Sequence, residues 1–409
     1  MPISTPLART GAWQVFWIFV RLGLTSFGGP VAHLGYFRDE FVQRRQWLTE
    51  RSYADLVALC QFLPGPASSQ VGMALGLMRA GMPGALAAWA GFTLPSALVL
   101  ALFGLGLASG HAMLPAGALH GLKVVAVAVV AQAVWGMARS LCVGRARVTV
   151  MALACGAALL VPGVGGQVGV MLVAGVAGWW LFGRGRAAVP ESTIDAPGGL
   201  QVPLRRRTGT LLLMAFVVLL VLLPLAVRLW PGSLLAMVDA FYRVGALVFG
   251  GGHVMLPLLQ AVVVPPGWVS ADAFLAGYGA TQAVPGPLFT FAAFLGASMQ
   301  VWPGGWLGAV VCLLAIFVPS FLLVAGALPF WEPLRRSLHA QAALAGVNAA
   351  VVGLLLAALY HPVWTSAIHS GADFGLALAA FVALVFWRAP PWAVVLACGG
   401  AGALWAAGL

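Results

Sequence analysis

Two prolyl-glycyl-prolyl triplets, Pro64-Gly65-Pro66 and Pro285-Gly286-Pro287, carry the clearest chemical signal in this chain. Proline has no N–H and its ring clashes with the preceding turn, so each triplet stops one helix and starts another. The new helices begin near Ala67-Ser68-Ser69-Gln70 and near Leu288-Phe289-Thr290. A helix start presents unsatisfied N–H groups and about half a positive charge, which suits an anion. One triplet alone reads more readily as a structural kink. Two triplets, each preceded at the same spacing by a glutamine (Gln61, Gln282), favour a site. The binding candidates here are Gln61, Gly65, Ser68, Ser69, Gln282, Gly286 and Thr290.

A second break is also duplicated, as Phe27-Gly28-Gly29-Pro30 and Phe249-Gly250-Gly251-Gly252. Consecutive turn N–H groups at glycines can form an anion-binding nest. Close helix packing through small residues explains them equally well. Gly28, Gly29, Gly250 and Gly251 join the candidates, with Ser26 beside the first break and His253 just after the second.

Ionisable residues inside apolar stretches are few, and each is a functional candidate because burial is costly. Lys123 is the only lysine, and Asn348 stands at the matching place in the second half. An unpaired ammonium facing a cavity would attract a dianion; the alternatives are snorkelling or pairing with Asp55. Asp55 itself is a candidate proton carrier or a plain salt-bridge partner. Arg21 and Arg243 precede the two glycine breaks, either as site charges or as lipid-headgroup anchors. Asp39 and Glu40 read as a solvated stretch with Arg38. His33, His111, His120, His339, His361 and His369 are scattered and read as interfacial. The five cysteines show no CxxC or Cys/His ligand spacing, so neither metal nor disulfide is expected. No cofactor motif occurs, and no Walker-type phosphate loop points to ATP.

The elements that hold these residues belong to a membrane. Of 409 residues, 62% are apolar and 8% charged, against roughly 25% charged in a soluble domain. Apolar stretches at 84–108, 116–140, 148–162, 165–183, 304–330, 338–361, 372–388 and 391–408 read as spans, since about 20 helical residues cross the hydrocarbon. The first apolar segment runs into a glycine turn, so no cleavable leader is read there. The net charge of +11 is not a nucleic-acid signal, because the arginines fall in short inter-helix loops as the positive-inside rule requires.

The chain also repeats itself. Arg21 and Phe27 pair with Arg243 and Phe249; Trp47-Leu48 with Trp268-Val269; Gln61 to Pro66 with Gln282 to Pro287; Phe92 to Ser96 with Ile316 to Ser320; and Gly121 to Val125 with Gly346 to Ala350. Basic residues follow alternate segments in the two halves: Arg38, Arg44, Arg45, Arg51, Arg79, Arg139, Arg145 and Arg147 in the first, Arg335, Arg336 and Arg388 in the second. Such a mirrored bias marks an inverted-topology repeat. The expected fold is an all-α polytopic membrane protein of two inverted repeats with broken helical hairpins. Its parts are a first repeat (1–183), a polar cytoplasmic linker plus connecting transmembrane helix (184–236) and a second repeat (237–409).

At Ser26 to Phe37, Ala58 to Gln70, Val248 to Val254, Gln282 to Pro287 and Gly346 to Leu354, the chain resembles the chromate transporter family, long-chain type. The resemblance implies a multi-pass protein of the bacterial plasma membrane that exports chromate, by proton antiport, and confers resistance to it. Sulfate, a tetrahedral dianion of similar size, is the alternative substrate, with uptake the alternative direction. An anion channel could use the same helix ends. A membrane enzyme is disfavoured because it needs a clustered acid, base or metal set. The expected partners are a chromate or sulfate oxyanion and the bilayer, with a homodimer left open and no nucleic acid.

Overall fold

The computed structural model describes residues 11–109, 115–161, 163–183 and 204–407. Most of the linker, with Arg184 and Arg186, and His111 lie outside the described residues. Helices account for the fold, and no strand occurs among the described residues. In the first half α1 (Ala12–Thr25) and α2 (Gly29–Arg38) flank the first glycine break, and a π-helical turn (Asp39–Arg44) leads towards α3 (Glu50–Phe62). After the first triplet come α4 (Ala67–Ala108), α5 (Ala116–Leu141), α6 (Arg145–Leu160) and α7 (Val164–Gly183). The connecting helix is α8 (Arg206–Leu229). The second half runs α9 (Ser233–Leu247), α10 (Met255–Val263), α11 (Ala271–Thr281), α12 (Phe291–Ser298), α13 (Gly305–Ala327), α14 (Trp331–Arg336), α15 (Leu338–Ala358), α16 (Thr365–Ala367), α17 (Gly371–Val385) and α18 (Pro391–Ala406).

Six helices among the described residues are long and apolar enough to cross a membrane: α4, α5, α7, α8, and the segments starting with α13 and α15. Of the expected spans, those at 148–162, 372–388 and 391–408 correspond to α6, α17 and α18, of 16, 15 and 16 residues. At 1.5 Å per residue these fall short of ~30 Å of hydrocarbon. The connecting helix behaves as a lipid-facing span: Leu211, Val217 and Val221 are more than half exposed, and Gly209 is its one buried residue.

Local chemistry sets the starts of the short helices. Thr49 caps α3 by accepting from the Ser52 N–H, and Ser270 caps α11 by accepting from the Ala273 N–H. Such caps contribute about 1 kcal/mol each. α4 is two helical arms joined at a break at Ala80–Gly81, which separates them where the pieces 66–81 and 84–108 were expected to part. Gly81 has φ +66° and ψ −156°, a conformation only glycine adopts cheaply. The two arms then pack so closely that a Cβ on Gly76 would lie 2.2 Å from the Gly84 carbonyl oxygen. The second half closes the same way between α12 and α13, where a Cβ on Gly296 would lie 2.1 Å from the Gly308 oxygen.

Between halves the long helices are exchanged. α5 packs on α17 and α18, and α15 packs on α6 and α7. Without a hydrophobic driving force in lipid, such contacts depend on close backbone approach. Gly121 of α5 abuts the Cys398 carbonyl of α18, and Gly346 of α15 abuts the Ala174 carbonyl of α7.

Candidate functional site at the crossed helix breaks

Helical arms fold back on each other around the breaks. Phe19 of α1 packs on Phe37 of α2 with ring centroids 5.6 Å apart. The Arg79 guanidinium, at the far end of the first arm of α4, lies 4.6 Å from the ring centroid of Trp47, just ahead of α3. At the matching place, the Gln300 N–H donates to the Trp268 carbonyl at 3.1 Å, closing α11 against α12. The triplets and the glycine breaks are therefore hairpin tips.

The tips meet crosswise. The Gly65 N–H donates to the carbonyl of Val248, just before the second glycine break, at 2.7 Å. The Gly286 N–H donates to the carbonyl of Ser26, just before the first, at 3.0 Å. Both glycines have positive φ, +122° and +106°. A Cβ on Gly65 would lie 2.6 Å from Ser320 Oγ, and one on Gly286 would lie 2.7 Å from Ser96 Oγ. Hence the two triplet glycines do not offer their N–H groups to a ligand, as the sequence had suggested. Each uses its N–H to lock the opposite half, and glycine is required by conformation and by space.

Around this crossing runs a lining of buried polar groups. Ser26, Ser69, Gln70, Thr93 and Ser320 are each at most 2% exposed. The Ser26, Ser69, Thr93 and Ser320 hydroxyls and Gln70 Oε1 have no hydrogen-bond partner among the described residues. Leaving such a group unpaired costs about 1–3 kcal/mol, so several together mark a place that calls for an explanation. Gln70 is held by its other end, Nε2 donating to the Pro64 carbonyl at 2.7 Å.

His33 is the residue that sequence reasoning misplaced. It is buried, 1% exposed, rather than interfacial, with Nε2 3.2 Å from the Ser26 carbonyl and Nδ1 3.4 Å from Ser68 Oγ. A carbonyl only accepts, so Nε2 carries the proton and Nδ1 accepts from the Ser68 hydroxyl. His33 thus ties the first glycine break to the first turn of α4. A signal was available: His33 follows Phe27-Gly28-Gly29-Pro30 by one helical turn, and His253 follows the matching break directly. His253 faces the Tyr278 hydroxyl through Nδ1 at 2.8 Å.

The charged candidates are arranged differently from expectation. Lys123 is not unpaired and does not pair with Asp55; its Nζ donates to Asp272 Oδ1 at 2.9 Å. One turn earlier on α5, His120 Nε2 meets Asp373 Oδ1 at 2.7 Å. Arg243 pairs with buried Asp239 one turn before it on α9. Arg21 is exposed on α1, and Asp55 is half-buried on α3, more than two turns ahead of the triplet. Thr290 and Gln282 are occupied locally, Thr290 Oγ1 donating to the Pro287 carbonyl at 2.7 Å and Gln282 Nε2 to Thr281 Oγ1 at 3.4 Å. Gly28, Gly29 and Gly251 take positive φ, and nothing lies within 4 Å of a Cβ built on Gly29 or Gly251.

Two candidates face open space. Gln61 and Asn348 line a cavity of about 310 Å³ together with Phe62, Arg147 and Gln341. Asn348 Oδ1 is 3.6 Å from where a Cβ on Gly250 would sit, so one residue of the cavity wall stands beside the second glycine break.

Comparison with known proteins gives one consistent answer. The family model described as "Chromate transporter" matches residues 13–179 and 235–403, covering both halves. The chain is 28% identical over 372 residues to the "Chromate transport protein" of Pseudomonas aeruginosa, covering 84% of this chain and 79% of that protein. It is 27% identical over 362 residues to the "Chromate transport protein" of Cupriavidus metallidurans, covering 85% and 81%. An uncharacterized transporter of Methanocaldococcus jannaschii is 27% identical over 349 residues, covering 85% and 83%. No solved structure matches.

Proposed function

The chain belongs to the chromate transporter family, and on that premise we propose that it is a secondary transporter exporting chromate across the plasma membrane by proton antiport, so conferring resistance. One observation carries the reading. Two broken hairpins from each half bring four tips together, and buried hydroxyls with no partner among the described residues lie on the same segments. A tetrahedral dianion leaving water needs several convergent donors, since desolvating an ion costs several kcal/mol or more. Ser26, Ser69, Thr93 and Ser320 are donors of the right kind, and the first turn of α4 adds its partial positive charge.

The proposed motion follows from the same tips. Non-helical backbone at membrane depth is tolerated where it is buried in protein or lines a polar cavity, and alternating access in repeat-built transporters rocks one repeat against the other. The matched contacts, Gly65 to Val248 and Gly286 to Ser26, support two repeats of opposite direction, as does the mirrored arginine bias. Sulfate has the same shape and charge and would use the same donors. A channel is disfavoured because direct bonds between tips would have to break for an anion to pass between them.

Purified protein in proteoliposomes, supplied with radiolabelled chromate or sulfate under imposed pH gradients, tests the proposal. The expected outcome is saturable chromate flux accelerated by an opposing proton gradient. Absence of saturable flux of either anion would sink the transport reading; flux indifferent to the gradient would remove proton coupling alone.

A further inference from the structure

Lys123 and Arg243 have acidic partners, whereas Arg79, stacked on Trp47, and Arg147, at the start of α6, meet no carboxylate among the described residues. Its Nη1 lies 3.4 Å from the Leu141 carbonyl, and its guanidinium carbon lies 5.6 Å from the centroid of the Phe182 ring. It lines the 310 Å³ cavity with the amides of Gln61, Gln341 and Asn348, and no carboxylate shares that lining among the described residues. The cavity is bounded by α3, the end of α5, the start of α6 and the first turns of α15. Two of its amides reach the crossing. Gln61 stands three residues ahead of Pro64, and Asn348 touches the place of Gly250.

We infer that this cavity is a loading subsite for a tetrahedral oxyanion, in which Arg147 supplies the charge and the amides of Gln61 and Asn348 orient the anion on its way to the crossed tips. The inference deepens the transport reading and rests on it. A planar guanidinium presents paired N–H donors that match two oxygens of such an anion. Carboxamides add N–H donors without fixed charge, so an anion held by them can be passed inward. The volume leaves room for an anion that keeps part of its water shell. The opposite end of the molecule cannot attract an anion in this way, because Lys123 and His120 there already face Asp272 and Asp373.

The test uses full-length protein in membrane vesicles of both orientations, with the initial rate of radiolabelled chromate uptake measured against concentration. Arg147→Gln is expected to raise the half-saturation concentration at least tenfold when chromate reaches the arginine-rich face, with little change from the other face. Arg147→Lys should retain part of the affinity. Asn348→Asp, nearly unchanged in volume, should reproduce the Arg147→Gln defect by placing a carboxylate in the cavity, and it keeps the test decisive if Arg147→Gln fails to insert. Unchanged half-saturation in both variants at equal protein level would overturn the subsite. So would an equal loss of maximal rate from both faces with half-saturation unmoved. A wild-type protein without saturable chromate or sulfate flux would sink the transport reading and the subsite with it. Normal wild-type flux with unmoved variants would sink the subsite alone.

Discussion

The crossing has two sides built from matched backbone and unmatched side chains. On one, Asn348 stands beside the second glycine break and faces a cavity with Gln61 and Arg147. On the other, the matching residue is Lys123, which reaches Asp272, while His120 reaches Asp373. Hydrogen bonds between tips are reciprocal, Gly65 to Val248 and Gly286 to Ser26, so the difference does not lie in the scaffold. It lies in a few polar residues that open one side and latch the other. The Lys123–Asp272 latch is weak, since the aspartate side chain is 73% exposed and the lysine 15%; a pair of this kind contributes about 1 kcal/mol or less. A pair this weak is readily broken and remade.

The comparison breaks outright if the halves do not face opposite ways. Single cysteines replacing Arg51 and Gly267, matching loop regions of the two halves, should be labelled from opposite sides of the membrane by an impermeant maleimide. Labelling from the same side would end the inverted reading.

Next in size is the loss of either tip. Gly65→Leu and Gly286→Leu should each abolish chromate flux while leaving protein in the membrane, because a side chain there meets Ser320 or Ser96 below 3 Å and must adopt positive φ. Gly29→Ala is the control. Nothing surrounds its Cβ position, so only the backbone penalty of about 1–2 kcal/mol applies and flux should persist. Equal loss in all three would reduce the tips to generic turns.

Removal of the lining hydroxyls should be milder. Ser69→Ala and Ser320→Ala are expected to raise half-saturation for chromate several-fold each, as for the loss of one hydrogen bond to a charged group, about 1.5 kcal/mol. Unchanged transport with raised thermal stability would show hydroxyls that are merely unsatisfied.

The smallest effect distinguishes latch from site. Lys123→Gln should leave half-saturation at the arginine-rich face within about twofold, since Lys123 is neutralised by Asp272. A cysteine replacing Gln282 should then react up to about fivefold faster with reagent added on the latched side, the equivalent of ~1 kcal/mol in the opening equilibrium. A tenfold affinity loss would instead restore Lys123 to the anion site.

These residues also show where the sequence stopped being informative. All four tips were readable, because proline and glycine act locally on the backbone whatever surrounds them. The crosswise bonding was not, since nothing within either half records that Gly65 meets Val248 rather than the break of its own half. Lys123 illustrates the same limit: its partner lies 149 positions away, and Asp55 was merely the nearest acid in an apolar stretch. His33 was misplaced because a lone histidine between apolar residues carries no periodic signal of its own. In lipid the helices are apolar all round, so hydropathy that identifies them gives little about which faces touch. The fold-back in α4 was legible only as a glycine between apolar runs.

The exchange of long helices has a consequence for the order of synthesis. α6 and α7 are made early, yet their partner is α15, which begins at Leu338, more than 150 residues after α7 ends at Gly183. Until then their small-residue faces lie against lipid or against whatever assists insertion. α5 waits longer still, for α18 at the very end of the described chain. The first half therefore cannot reach its final packing as a nascent fragment, and a ribosome stalled before residue 338 would leave a membrane-inserted but unlocked intermediate, exposed to quality-control proteases.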